Sequence, residues 1–154
     1  MPWQPPDTNT ADPETRRQLI ADLADANPEN RLRAIDLVSQ WYYEDRAVVE
    51  EALPHIVALL ADPERAVRIS AAYTVGEVGG PPVAADLLGA LDSASADRSL
   101  QLVIVKAMGK VNHPEIAERL AYIFHLTQSR CLRVAARKAI ERIGTPEALA
   151  MLVC

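Results

Sequence analysis

One short motif recurs along this chain. Asn27-Pro-Glu-Asn-Arg-Leu32-Arg33 is followed 35 residues later by Asp62-Pro-Glu-Arg-Ala-Val67-Arg68. Fainter echoes stand at Asp97-Arg98-Ser-Leu100-Gln101 and Ser129-Arg130-Cys-Leu132-Arg133. A period in the mid-thirties with two helical segments per unit permits few folds. One such unit cannot bury its apolar face alone, so successive units must stack. The expected class is all-α, a right-handed α-solenoid of about four helix pairs plus a partial C-terminal helix.

The helix starts share one design: Asp12-Pro13-Glu14, Asn27-Pro28-Glu29, Asp62-Pro63-Glu64, His113-Pro114-Glu115 and Thr145-Pro146-Glu147. A capping residue precedes proline at the first helical position, and an acid then meets the positive end of the helix dipole. Gly79-Gly80, Asn112 and Gly144 read as left-handed C-caps. These marks predict helices at 13–25 and 28–43, 46–61 and 63–78, 82–92 and 97–111, and 114–126 and 129–143, with a half-unit at 146–153. Residues 1–11 hold Pro2, Pro5 and Pro6 and read as a flexible arm. Residues 12–154 then form one repeat domain, with units at about 13–44, 46–80, 81–112 and 113–144 and a partial unit at 145–154.

Ala-Leu-Leu-Ala-Asp-Pro-Glu-Arg-Ala-Val-Arg-Ile-Ser-Ala-Ala-Tyr-Thr-Val-Gly-Glu-Val-Gly, residues 58–79, resembles the HEAT repeat consensus. It looks most like the short bacterial type related to the phycobilisome bilin lyases, and the resemblance spans about residues 13–153. It implies that the second helices line a concave surface. It also implies that the arginine after Val pairs with an aspartate of the turn. Arg33, Arg68 and Arg133 are therefore expected to brace neighbouring repeats, with Asp62 as a partner, and Gln101 breaks the series.

Charge is unevenly spread. The stretches 28–44, 63–78, 96–111 and 128–143 hold 12 of the 16 Lys+Arg but 7 of the 21 Asp+Glu, which leaves +5 there and −10 elsewhere. Counting repeats from Tyr73 gives Val38, Lys106 and Lys138; counting from Glu77 gives Tyr42, Lys110 and Arg142. Tyr42, Tyr73, Lys106, Lys110, Lys138 and Arg142 are thus the expected partner contacts, a groove suited to an acidic segment. Trp41-Tyr42-Tyr43 stands out where aromatics make up only 5% of the chain. Three consecutive residues on a helix cannot all face one core, so Trp41 joins the candidates.

Other chemistries lack their residues. His55, His113 and His125 are scattered and form no metal-binding pair, nor the repeated His-Glu pairs that the HEAT-type deoxyhypusine hydroxylases need. No nucleotide loop or nucleophile elbow is present. Neither a catalytic residue nor a cofactor is expected. Cys131 and Cys154 read as free thiols of a reducing cytoplasm. The net charge of −5 argues against nucleic acid, and no run of about 18 apolar residues suggests a membrane span. The expected function is a non-enzymatic scaffold for another protein. A bilin-lyase-like, chromophore-handling subunit is the alternative, and a HEAT-like DNA glycosylase ranks behind it. Partner identity and oligomeric state stay open, including whether Leu149, Met151, Leu152 and Val153 cap the array or join two copies.

Overall fold

A computed structural model describes residues 12–153. The arm 1–11, with Trp3, and Cys154 lie outside the described residues. Helices alternate between two layers. The first helices are α1 (Pro13–Leu23), α3 (Arg46–Ala58), α5 (Ala84–Ser93) and α7 (Pro114–Leu126). The second helices are α2 (Pro28–Trp41), α4 (Arg65–Val78), α6 (Arg98–Met108) and α8 (Arg130–Ile143), and α9 (Pro146–Ala150) begins a further unit. No strand occurs among the described residues. Leu23, Ile56, Leu87 and Leu120 of the first helices meet Ile35, Val67, Ile104 and Ile140 of the second in one continuous apolar core. The chain is an α-solenoid of the expected class.

The register differs from the motif spacing by two residues in the first unit. Asn27 caps α2, Glu64 stands at the N-cap of α4, Asp97 caps α6 and Ser129 caps α8. The equivalent of Asn27 is therefore Glu64, not Asp62, and Pro63 lies outside its helix. Asp62 occupies the turn two residues earlier, where its Oδ1 accepts from the Glu64 amide at 2.9 Å. Asp25 and Thr127 do the same for the amides of Asn27 and Ser129. The arginines follow this frame. Arg31 Nη1 donates to the Asp25 carbonyl at 2.7 Å, Arg68 Nη1 to the Asp62 carbonyl at 2.8 Å, and Arg133 Nη2 to the Thr127 carbonyl at 2.7 Å. Arg31, not Arg33, is the counterpart of Arg68; Arg33 is exposed.

Asp62 likewise pairs with a different arginine than expected. Its carboxylate takes the Arg31 guanidinium of the preceding unit, at 2.8 and 2.9 Å, and both side chains are buried. Arg31 Nη2 donates to Oδ1 while Nε lies beside Oδ2 without a hydrogen bond, and this buried charge pair favours one relative placement of the units. Of the expected C-caps only Gly144 is left-handed (φ 69°, ψ 4°). Gly79 continues the helix and Gly80 has φ 62° with ψ −166°. Asn112 keeps a negative φ, since no non-glycine residue is positive among those described.

The second helices approach closely because small residues meet at each junction. An added Cβ on Gly76 would lie 2.6 Å from the Ala107 Cβ, and one on Gly109 would lie 2.8 Å from the Ala139 Cα. At the same place between α2 and α4, the Ser39 and Thr74 hydroxyls are 3.1 Å apart. The second helices pack on one another more extensively than the first helices do, which makes their layer the inner side of the stack. Ion pairs also join neighbouring units: Arg16–Asp45 at 3.4 Å, Arg65–Asp97 at 2.7 Å and Arg119–Asp92 at 2.6 Å. His125 Nε2 meets the Met151 carbonyl at 2.8 Å and holds α9 against α7.

Two measurements test this packing. Gly76→Ala should destabilise by about 1–3 kcal/mol in urea unfolding, because helix backbone must shift to admit the methyl. Gly89→Ala, with nothing within 4 Å of its added Cβ, should stabilise by about 0.5–1 kcal/mol; the same sign for both would contradict the seam. In the second, the Arg65 guanidinium and then the Leu100 amide lower the Asp97 carboxyl from 3.8 to about 2. A depressed carboxyl contributes stability above its unfolded value and loses it as pH falls through its folded one. The gap between wild type and Arg65→Gln should therefore be present at neutral pH and close between 3.8 and about 2. A gap that persists below that range would contradict the pairing.

Candidate functional site

The inner face of α4, α6 and α8 encloses a groove of about 520 Å³. Its floor is Val103, Ala107, Ala135 and Ala139, and its rim is Tyr73, Lys106, Lys110, Lys138 and Arg142. Helical spacing puts these side chains, with Glu77 beside Tyr73, on one face of each helix. Tyr73 lies four residues before Glu77 on α4, Lys106 four before Lys110 on α6, and Lys138 four before Arg142 on α8. Five of the seven expected contacts therefore converge on one cleft.

The rim is unevenly compensated. Lys110 contacts the Glu77 carboxylate, and its Nζ lies 4.7 Å from the centroid of the Tyr73 ring. That ring presents its electron-rich face to the ammonium, and Tyr73 is still 56% exposed. Burial first, and then the positive charge of Arg142, hold the Lys110 ammonium below the ordinary lysine value of 10.5. Lys106, Lys138 and Arg142 are exposed and have no acidic partner among the described residues. The cleft thus offers three uncompensated cations, one compensated cation and an aromatic hydroxyl above an apolar floor.

Two expected contacts are elsewhere. Trp41 is only 5% exposed and belongs to the core. Tyr42 is half-buried at the end of α2, edge-on to Tyr43 and 5.6 Å beneath Arg46. Val38 is fully buried. The cause is the two-residue shift in register: with Arg31 equivalent to Arg68, the counterparts of Tyr73 and Glu77 are Asp36 and Gln40, both exposed. The buried alternation Ala34, Ile35, Val38 against Ala71, Ala72, Val75 carries that signal in the sequence. The inner face therefore runs from Asp36, Gln40 and Glu77 at one end to a basic cluster at the other. Tyr43, at 88% exposure, is the outward ring of the aromatic triplet.

A larger hollow of about 810 Å³ lies between the second and third units. Three of its four charged residues are engaged in building the stack, Asp62 with Arg31, Arg68 with the turn carbonyls and Asp97 with Arg65, and the fourth, Asp86, is exposed. No cluster of metal-ligating side chains occurs among the described residues. None of their helices is long and apolar enough to cross a membrane. Cys131 is an exposed free thiol.

Comparison with the curated proteins gave no match. A family model described as HEAT repeats matches residues 9–99, more than half of the 154 residues. The match ends at the first turn of α6, so the groove's lysines and Arg142 lie beyond it. Helix pairs stacked through the second-helix layer, the turn-bracing arginines and this match make the chain a member of the HEAT repeat family.

Proposed function

We propose that this chain is a non-enzymatic interaction module that takes an acidic segment of another protein along the inner face of α4, α6 and α8. Repeat solenoids bind mainly through such extended concave surfaces. The observation that carries the reading is the set of uncompensated cations, Lys106, Lys138 and Arg142, converging over an alanine floor beside exposed Tyr73. Alanines at the floor let a partner's backbone approach. The cations supply charge complementarity, and Tyr73 supplies apolar area with a hydroxyl at its tip. Asp36 and Glu77 repel an acidic chain from the other end, so the acidic stretch lies over the third and fourth units. Trp41 and Tyr42 take no part in this contact.

The likeness of residues 58–79 to the short bacterial bilin-lyase-like repeat supports assigning that repeat type. It brings no catalytic residue with it. A DNA-cradling reading is disfavoured by the net charge of −5.

Fluorescence anisotropy of a labelled hexaglutamate peptide at low salt tests the reading. Wild type should bind it, and Lys106→Glu with Lys138→Glu should weaken binding at least about tenfold, with helicity and melting temperature nearly unchanged. Equal binding by the double variant would refute the groove as the docking site.

A further inference from the structure

An anion stands beside the rim of the groove, paired with one of its lysines. Glu77 leaves α4 one turn beyond Tyr73 and reaches the Lys110 ammonium on α6. At the next step of the same column, Arg142 has no such carboxylate among the described residues. Glu77 therefore occupies the one lysine of the rim that is partly buried and stacked on an aromatic ring.

We propose that Glu77 is a built-in competitor for the groove and sets how much negative charge a partner must bring. The proposal deepens the acidic-segment reading above and rests on it. A lone carboxylate arriving at Lys110 only replaces one that is already there, so the exchange gains little. A stretch of several carboxylates engages Lys106, Lys138 and Arg142 together and displaces Glu77 through their combined attraction. The groove thus discriminates by charge density, using a repulsive element as well as attractive ones.

A purely structural role for the pair predicts something different. The junction of α4 and α6 is already closed by Gly76 against Ala107, and a partly exposed ion pair adds little stability. Glu77→Gln keeps the shape and hydrogen-bonding capacity of the side chain while removing its charge. If Glu77 only braces the stack, the substitution leaves anion binding unchanged or weaker.

The test uses two labelled hexapeptides, one all glutamate and one with two glutamates among serines, titrated into the full chain at low salt. Glu77→Gln should tighten the two-glutamate peptide about fivefold, the scale of one partly exposed ion pair, and the hexaglutamate peptide less. The selectivity ratio between them should shrink. In a Lys110→Met background, where Glu77 only repels, the same substitution should tighten the hexaglutamate peptide at least as much as the two-glutamate one. Glu77→Ser serves as a second charge-removing variant if Glu77→Gln lowers the melting temperature markedly. No gain on the two-glutamate peptide, or a shrinking of the selectivity ratio that persists without Lys110, overturns the proposal. Wild type failing to bind hexaglutamate overturns the acidic-segment reading and this one with it. Binding that is indifferent to Glu77 overturns this one alone.

Discussion

The distance between neighbouring second helices governs the rest of the structure. It is set by a pair of small residues at each junction: Ser39 with Thr74, Gly76 with Ala107, Gly109 with Ala139. A Cβ or a branched side chain at the glycine position would separate the helices, flatten the curve and open the core beneath. The aliphatic make-up of the chain fits this requirement, since interdigitating Ala, Val, Leu and Ile can follow a close backbone approach that large rings would prevent. The turn network adds precision rather than depth. Asp25, Asp62 and Thr127 each fold their own turn, and an arginine six residues on ties its carbonyl down.

The groove follows from that spacing. Ala107 and Ala139 are both the contact residues of the seam and the floor of the cleft. The same small side chains that let helices approach therefore leave room above them on the inner face. Long side chains at the position before each alanine and one turn beyond it, Lys106 and Lys138, Lys110 and Arg142, then stand around the gap instead of filling it. Their charges are tolerated because three point to solvent. The fourth, Lys110, is covered by Tyr73 and Glu77.

Much of this was legible in the sequence: most helix starts, the pairing of helices and the uneven charge follow from caps, helical periodicity and composition. The expected start at Pro63 and the left-handed caps at Gly79 and Asn112 do not, and the misplaced contacts have one physical cause. Tyr73, Lys106, Lys110, Lys138 and Arg142 converge because units two to four keep one register, in which Val67, Leu100 and Leu132 are equivalent and all buried. The first unit misled because Asn27-Pro-Glu and Asp62-Pro-Glu look alike but do different work. Asn27 ends its turn as a cap, whereas Asp62 sits inside the turn and turns back to a buried arginine. Aligning them displaced the frame by two residues, which put Tyr42 and Val38 where Gln40 and Asp36 stand. The Glu77–Lys110 contact crosses between units; the repeat count puts the two in one column but does not show that they touch. Only stacking brings those two positions together.

The central claim is that the inner face of α4, α6 and α8 is where a partner docks. Its most direct test is a two-dimensional NMR titration of the labelled full chain with an acidic peptide. Amide and side-chain shifts confined to Tyr73, Lys106, Lys110, Lys138 and Arg142 and the alanines between them are the predicted outcome. Shifts concentrated at Tyr43, at Tyr122 and Leu126, or along the outer first helices would contradict it.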